Sequence, residues 1–195
     1  MKIYADLHIH SRFSRATSKN LTIENLEKYA RIKGVNLLGT GDFTHPKWLE
    51  ELKENLTEDS GFLKTKTGFK FVLQAELSNM FRQDDKGRRV HNIILAPSFE
   101  IVDQINEFLA PKGKLASDGR PIFGGMSCIE LCTGLFSISD KIEVIPAHIW
   151  TPWFSVLGSK SGFDSIKECY GPFTDKIHAL ETGLSSDPEM NWRLS

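Results

Sequence analysis

The sequence predicts an α/β fold with a largely parallel sheet, and three observations carry that reading. Short apolar runs alternate along the chain with amphipathic stretches of helical period. The apolar runs are short and separated by the helical stretches, as expected of strands joined by crossover helices in a largely parallel sheet. The 195 residues suit a single domain, 40% of them hydrophobic and 25% charged.

The elements follow in order. IYADLHIH reads as the first strand. LTIENLEKYARIKG is a helix with Thr22 as N-cap, Ile23, Leu26 and Ala30 on one stripe, and Gly34 as its stop. VNLLGTGD is the second strand, and PKWLEELKENL a helix that tolerates Pro46 in its first turn and turns Trp48, Leu49, Leu52 and Leu56 to one side. FKFVLQAELS, VHNIILAPS, IEVIPAHI and KIHALETG are four further strands, six in all, with helices at SFEIVDQINEFL and CIELCTGLF. The Gly-, Pro- and charge-rich QDDKGRR and PKGKLASDGRPIFGG read as loops.

Composition excludes several classes. A formal net charge of -1 is not that of a globally basic nucleic-acid binder, so any DNA contact must come from local groups such as Arg12, Arg15 and Lys19, or Arg82, Lys86, Arg88 and Arg89. No run approaches the ~18 apolar residues of a membrane span, and the first residues do not read as a signal peptide. The expectation is a cytoplasmic protein with no membrane association. Three cysteines, Cys128, Cys132 and Cys169, argue against a disulfide framework; Cys128 and Cys132 share a helix face and read as core.

The chemistry gathers at strand ends. On a strand, Asp6, His8 and His10 of DLHIH share one face, and two neighbouring imidazoles can converge on one ion at about 2.0–2.1 Å. The second strand ends in GTGDFTHP with Asp42 and His45, the third in QAELS with Glu76, the fifth in VIPAHIW with His148. In α/β barrels, sites are assembled at such C-terminal strand ends. A carboxylate such as Glu76 can bridge two cations, so the set fits a multinuclear centre better than a lone ion. His91 lies at the start of its run, the wrong end unless that strand is antiparallel or the preceding loop carries it over. His178 reads as a core histidine in mid-strand. Asp6 is either an imidazole-orienting carboxylate or a structural acceptor.

HIH, GTGD, AELS, VHNIIL and PAHIW together resemble the PHP (polymerase and histidinol phosphatase) family. The resemblance implies a distorted (β/α)7 TIM-like barrel and a divalent metal cluster of up to three ions (zinc, manganese, magnesium or iron) for phosphoester hydrolysis. The implied ligands are His8, His10 and Glu76 for one ion and Glu76, His91 and His148 for a second. Asp42 or His45 would serve a third, with Glu76 and Asp42 as the catalytic carboxylates. Two departures stand out: FSRATS, with Arg15, replaces the family's S-D-G, and GDFTHP puts Phe43 where the His of T-D-H would stand. HSRFSRATS, GTGDFTHP, PAHIWTPWFSVLGSKSGFDS and ETGLSSDPEMNWRLS are similar to the subgroup that contains endonuclease Q. That similarity implies a DNA repair endonuclease nicking 5′ of a deaminated base (hypoxanthine or uracil) or an abasic site.

Within that resemblance, Arg15, Trp150, Trp153, Ser161 and Glu181 are candidate substrate-binding residues, with Phe154 able to stack on a base and Gly158 and Gly162 permitting close backbone approach. The aromatics could equally close the barrel mouth, and Glu181 could equally be a surface acid or one that stands behind a ligand. The family's seventh-strand motif, S-N-S-D-A-H, is not in the sequence. The expectation is therefore one PHP-type domain over residues 1–195, incomplete at its C-terminus, with exposed sheet edges that favour self-association. A small-molecule phosphoesterase, or a metal- or DNA-binding fragment without turnover, are the alternatives.

Overall fold

The computed structural model describes residues 2–183 and 185–194. Its strands are β1 (Ala5–Asp6), β2 (Leu37–Gly39), β3 (Thr57–Asp59), β4 (Phe62–Lys64), β5 (Lys70–Gln83), β6 (Lys86–Ala96), β7 (Ile122–Gly124) and β8 (Glu143–Pro146). The helices are α1 (Ile23–Lys33), α2 (Pro46–Asn55), α3 (Phe99–Leu109), α4 (Cys128–Ile138), α5 (Ile166–Tyr170) and α6 (Pro188–Trp192).

Helix ends follow local chemistry. The hydroxyls of Thr22, Ser98 and Ser127 each accept a backbone N–H in the first turn of α1, α3 and α4, and Ser127 and Glu130 close a reciprocal capping box. Gly34 ends α1 with a φ of 76°, a left-handed conformation that costs glycine little. Cys128, Cys132 and Cys169 are free and buried.

The eight strands form one mixed sheet. β1–β2, β2–β5 and β5–β7 pair in parallel, whereas β3–β4, β4–β5, β5–β6 and β6–β8 are antiparallel. This corrects the expected largely parallel sheet. The cause is the QDDKGRR stretch, which is a tight hairpin: Asp84 and Asp85 both adopt positive φ, and β6 folds straight back along β5 from Gln83↔Lys86 to Leu73↔Ala96. The family-type barrel is not closed, since among the described residues β1 pairs only with β2 and β8 only with β6.

Three more expectations change. The hairpin β3–β4 was not legible as strand, and β7 lies inside a stretch that reads as loop. The sixth expected strand, KIHALETG, is irregular; it runs beside the end of β8 through Ile149 N–H to Glu181 O (2.9 Å) and Glu181 N–H to Pro146 O (3.1 Å). His178 is therefore exposed rather than core, paired with Glu143 at 2.9 Å.

The core lies between the sheet and helices α2–α5. Trp48, Phe71, Phe123, Leu52, Leu77, Ile94, Ile105, Leu109, Leu131 and Tyr170 are fully buried there. Among the described residues no helix is long and apolar enough to cross a membrane.

Candidate metal centre

Glu76 organises the site. It sits mid-way along β5, the most central strand, and is 0% exposed. Its two carboxylate oxygens face different partners. Oε2 meets His10 Nε2 at 3.2 Å and His8 Nε2 at 3.6 Å, while Oε1 meets His91 Nδ1 at 2.8 Å and His148 Nε2 at 3.3 Å. Two triads thus bring their donor atoms within 4.8 Å of one another: His8, His10 and Glu76, and Glu76, His91 and His148.

Each histidine arrives by its own route. His8 and His10 lie two residues apart just past β1, in chain without regular secondary structure. His91 reaches the site because β6 is antiparallel: Ser78↔His91 and Glu76↔Ile93 are register pairs, so the start of β6 lies at the end of β5. That resolves its position, which the sequence left open. His148 follows β8 with a φ of 30°.

Behind the imidazoles stand further carboxylates. Glu181 contacts His8 Nδ1 with both oxygens, at 2.8 and 3.0 Å, and accepts the His148 N–H at 2.6 Å. Asp42 accepts from His10 Nδ1 at 2.9 Å, from the Ser11 N–H and hydroxyl at 2.6 Å each, and from the Ser14 hydroxyl at 3.0 Å. His148 Nδ1 lies 3.0 Å from the Thr151 hydroxyl. Such partners put the proton on Nδ1 and turn the Nε2 lone pair toward the centre, as around bound metal ions.

A turn sets Asp42 in place. Gly41 and Asp42 both have positive φ, a Cβ at Gly41 would lie 3.0 Å from the His10 backbone, and Trp48 Nε1–H donates to the Thr40 and Gly41 carbonyls. The same turn carries His45 away. His45 precedes α2, stacks on Phe13 at 4.3 Å, and leaves its buried Nδ1 without a partner. Of the two alternatives for a third ion, Asp42 is thus engaged with His10 and His45 lies outside both triads. Among the described residues two donor triads form, not three.

Asp6 is exposed and accepts the His8 backbone N–H at 3.3 Å, so its contact is with main chain and not with a ring. Glu181, expected to line the cavity or else to lie at the surface or behind a ligand, stands behind His8. Ser161 is buried, its hydroxyl accepting the Phe154 N–H at 3.0 Å and donating to the Arg89 carbonyl at 3.3 Å. It fastens the Trp-rich loop to β6. Trp150 donates to Asn191 at 2.9 Å, whereas Trp153 is exposed, with the Arg89 guanidinium 5.2 Å from its ring and 5.5 Å from that of Phe154. Arg15 is exposed and paired with Asp118 at 3.2 Å.

One contact had no signal in the sequence. Arg120, in the stretch read as loop, donates to Glu76 Oε2 at 3.1 Å. It arrives there because the neighbouring Pro121 carbonyl accepts the Ser78 N–H at 3.0 Å, seating β7 against β5. Only that pairing could have revealed it.

Electrostatics match the geometry. Burial pushes Glu76 up, but hydrogen bonds from His10, His148, His8 and His91 outweigh it and hold the carboxyl far below its usual range. Burial pushes His8 and His10 down, yet contacts with Glu181 and Glu76, and with Asp42 and Glu76, raise them to about 10 and about 9. Burial, only partly offset by Glu76, lowers His91. A sealed carboxylate with a pair of imidazoles on each oxygen is a donor set that fits two divalent cations bridged by Glu76, and its nitrogen and oxygen donors suit zinc, manganese or iron.

No family model matches the chain. Among curated proteins it is 36% identical over 144 residues to an uncharacterized protein of Methanocaldococcus jannaschii, covering 72% of this chain and 16% of that protein. It is also 30% identical over 209 residues to the uncharacterized protein YqxK of Bacillus subtilis, covering 97% and 50%. The chain therefore spans half or less of the length of these relatives. Among solved structures, the lesion-specific endonuclease PfuEndoQ of Pyrococcus furiosus superimposes with a TM-score of 0.81 at 33% identity, over 96% of this chain and 43% of that one. An endonuclease Q complexed with a 27-mer duplex substrate carrying an abasic lesion at its active site matches with a TM-score of 0.81 at 35% identity, over 95% and 44%. A metal-dependent phosphoesterase from Bifidobacterium adolescentis shares the fold, with a TM-score of 0.58 at 16% identity over 97% and 81%. With sequence and fold agreeing over almost its whole length, the chain belongs to the PHP-type, endonuclease Q-like family.

Proposed function

We propose that this chain is the metal-binding part of a phosphodiesterase that nicks DNA on the 5′ side of a deaminated base or an abasic site. The observation that carries the reading is the Glu76 carboxylate, sealed from water and offering one oxygen to His8 and His10 and the other to His91 and His148. A bound pair of divalent cations would supply a water of lowered pKa and neutralise charge on the phosphoryl oxygens.

The chain's own residues do the rest. Glu181 and Asp42 hold the rings of His8 and His10 with Nε2 inward. Thr151 does the same for His148. Arg89, laid across Trp153 and Phe154, forms a cationic and aromatic rim beside His91, whose ring lies 4.7 Å from that of Phe154. Such a rim suits a nucleic-acid strand, with stacking for bases and charge for phosphates. A small phosphate ester needs no such surface. The likeness to an endonuclease Q holding an abasic duplex supports DNA as the substrate class.

The test has two parts. Elemental analysis of protein purified without chelator or nickel affinity should find two ions per chain. Oligonucleotide duplexes carrying an abasic site, hypoxanthine or uracil should be nicked on the 5′ side of the lesion, and an undamaged duplex should not. Hydrolysis of a small phosphomonoester with no nicking of any duplex would move the assignment to a small-molecule phosphoesterase. Two bound ions with neither activity would make the chain a binding fragment.

A further inference from the structure

Beside the second donor triad, and sharing His91 with it, lies a cavity of about 370 Å³. Its walls include His91, Ser78, Arg120, Lys114, Asp118 and Phe154. Ser78 is the telling residue. It lies two positions after Glu76, hence on the same face of β5, and is 1% exposed. Its hydroxyl is buried with no hydrogen-bond partner among the described residues, a state that costs free energy unless a ligand satisfies it.

The charges around that hydroxyl select the ligand. Asp118, the acid of the wall, is already taken up by the Arg15 guanidinium at 3.2 Å and by the backbone N–H of Arg120 at 3.1 Å. Arg120 commits only Nη1, to Glu76, which leaves Nη2 and Nε of its guanidinium unengaged among the described residues; its side chain is 42% exposed. Lys114 adds a second cation with no ion pair among those residues. Ser78, Arg120 and Lys114 line one cavity, and a hydroxyl donor, a forked guanidinium and an ammonium are the groups that recognise a tetrahedral phosphate.

We propose that this cavity is a phosphate subsite, taking a backbone phosphate of the nucleic-acid strand next to the scissile bond, with Ser78 and Arg120 as its recognising residues and Lys114 at its mouth. The proposal rests on the metal-dependent nuclease reading for what the strand is, but the subsite is made of protein groups alone. A chain so held has its neighbouring phosphodiester brought to the Glu76–His91–His148 side of the centre. Orientation of that kind is a major part of catalysis in phosphoryl transfer.

The test is calorimetric titration with thymidine 5′-monophosphate, inorganic phosphate and unphosphorylated thymidine, on the protein as purified and again after chelation, with metal content measured on the same samples. The monophosphate should bind and thymidine should not. Ser78→Ala should weaken the monophosphate about 5- to 10-fold at unchanged metal content, and Arg120→Gln more; Arg120→Lys should recover only part of the loss, since a point charge does not replace the fork. Monophosphate affinity unchanged in Ser78→Ala and in Arg120→Gln would overturn the subsite, because the phosphate would then be bound by the ions themselves. Equal binding of thymidine and its monophosphate would overturn it too. Metal content below one ion per chain would sink the nuclease reading instead, and the Ser78→Ala comparison on the chelated protein would still decide the subsite.

Discussion

Replacing Glu76 by glutamine separates a shared carboxylate from a residue that serves one ion. The amide would keep the size of the side chain and remove the charge that faces His8 and His10 through one oxygen and His91 and His148 through the other. Each donor triad would fall to two imidazoles and lose its anionic ligand. Loss of a partner behind a ligand typically costs 10–100-fold in metal affinity; loss of the ligand itself costs at least the upper end, about 100-fold, or ~2.7 kcal/mol per ion. Two ions per chain should therefore fall toward none after gel filtration, whereas His10→Ala should release one and keep the other. Elemental analysis reads both variants directly, and far-UV circular dichroism checks that they remain folded. If Glu76→Gln kept one ion at parental affinity, the bridging role would be wrong, and one of the two triads would have to be rebuilt without the carboxylate.

Glu181→Gln leaves a hydrogen bond to His8 but weakens its hold on the Nδ1 proton, and should reduce metal affinity about 10–100-fold at the first triad, with a smaller effect at the second through the His148 N–H; competition with a chromogenic chelator measures it. In the metal-free protein His8 and His10 are raised to about 10 and about 9 from 6.5. Folded pKa values above the unfolded ones contribute stability that is fully present below pH 6.5 and is lost as pH rises through 9 to 10, so the melting temperature of the chelated protein should fall across that window. The same two protons must leave when a cation takes the nitrogens, so at about pH 7.5 metal binding should release about two protons per chain, seen as a heat that varies with buffer ionisation enthalpy. Gly119→Ala should destabilise the fold by about 1–3 kcal/mol, because a Cβ there would lie 2.2 Å from Asp42 Oδ2 and 2.3 Å from the Ser14 hydroxyl; urea unfolding of the chelated variant checks it, and an unchanged midpoint would show that the Asp42 cradle yields.

What the sequence determined by itself was local. Helices α1 to α3 were legible nearly to their ends and α4 all but its last two residues, because capping and amphipathic spacing act within a few residues: Thr22 with Gly34, Pro46 ahead of Trp48, and the shared face of Cys128 and Cys132. The donor residues His8, His10, Glu76 and His148 were legible for a related reason, since alternation along a strand and clustering at strand ends are visible without knowing the pairing.

The tertiary structure decided everything that depends on which strand meets which. His91 has a place only because the Asp84–Asp85 turn reverses β6 onto β5. Arg120 and the unsatisfied Ser78 hydroxyl share a cavity only because β7 joins β5 across more than forty residues of sequence. Two positive backbone angles, at Gly41 and Asp42, turn the Asp42 side chain toward His10 and leave His45 stacked on Phe13. Residue types announce what chemistry a chain can do, but the convergence of those residues is a property of strand pairing and turn geometry, which are long-range and carry no local pattern to read.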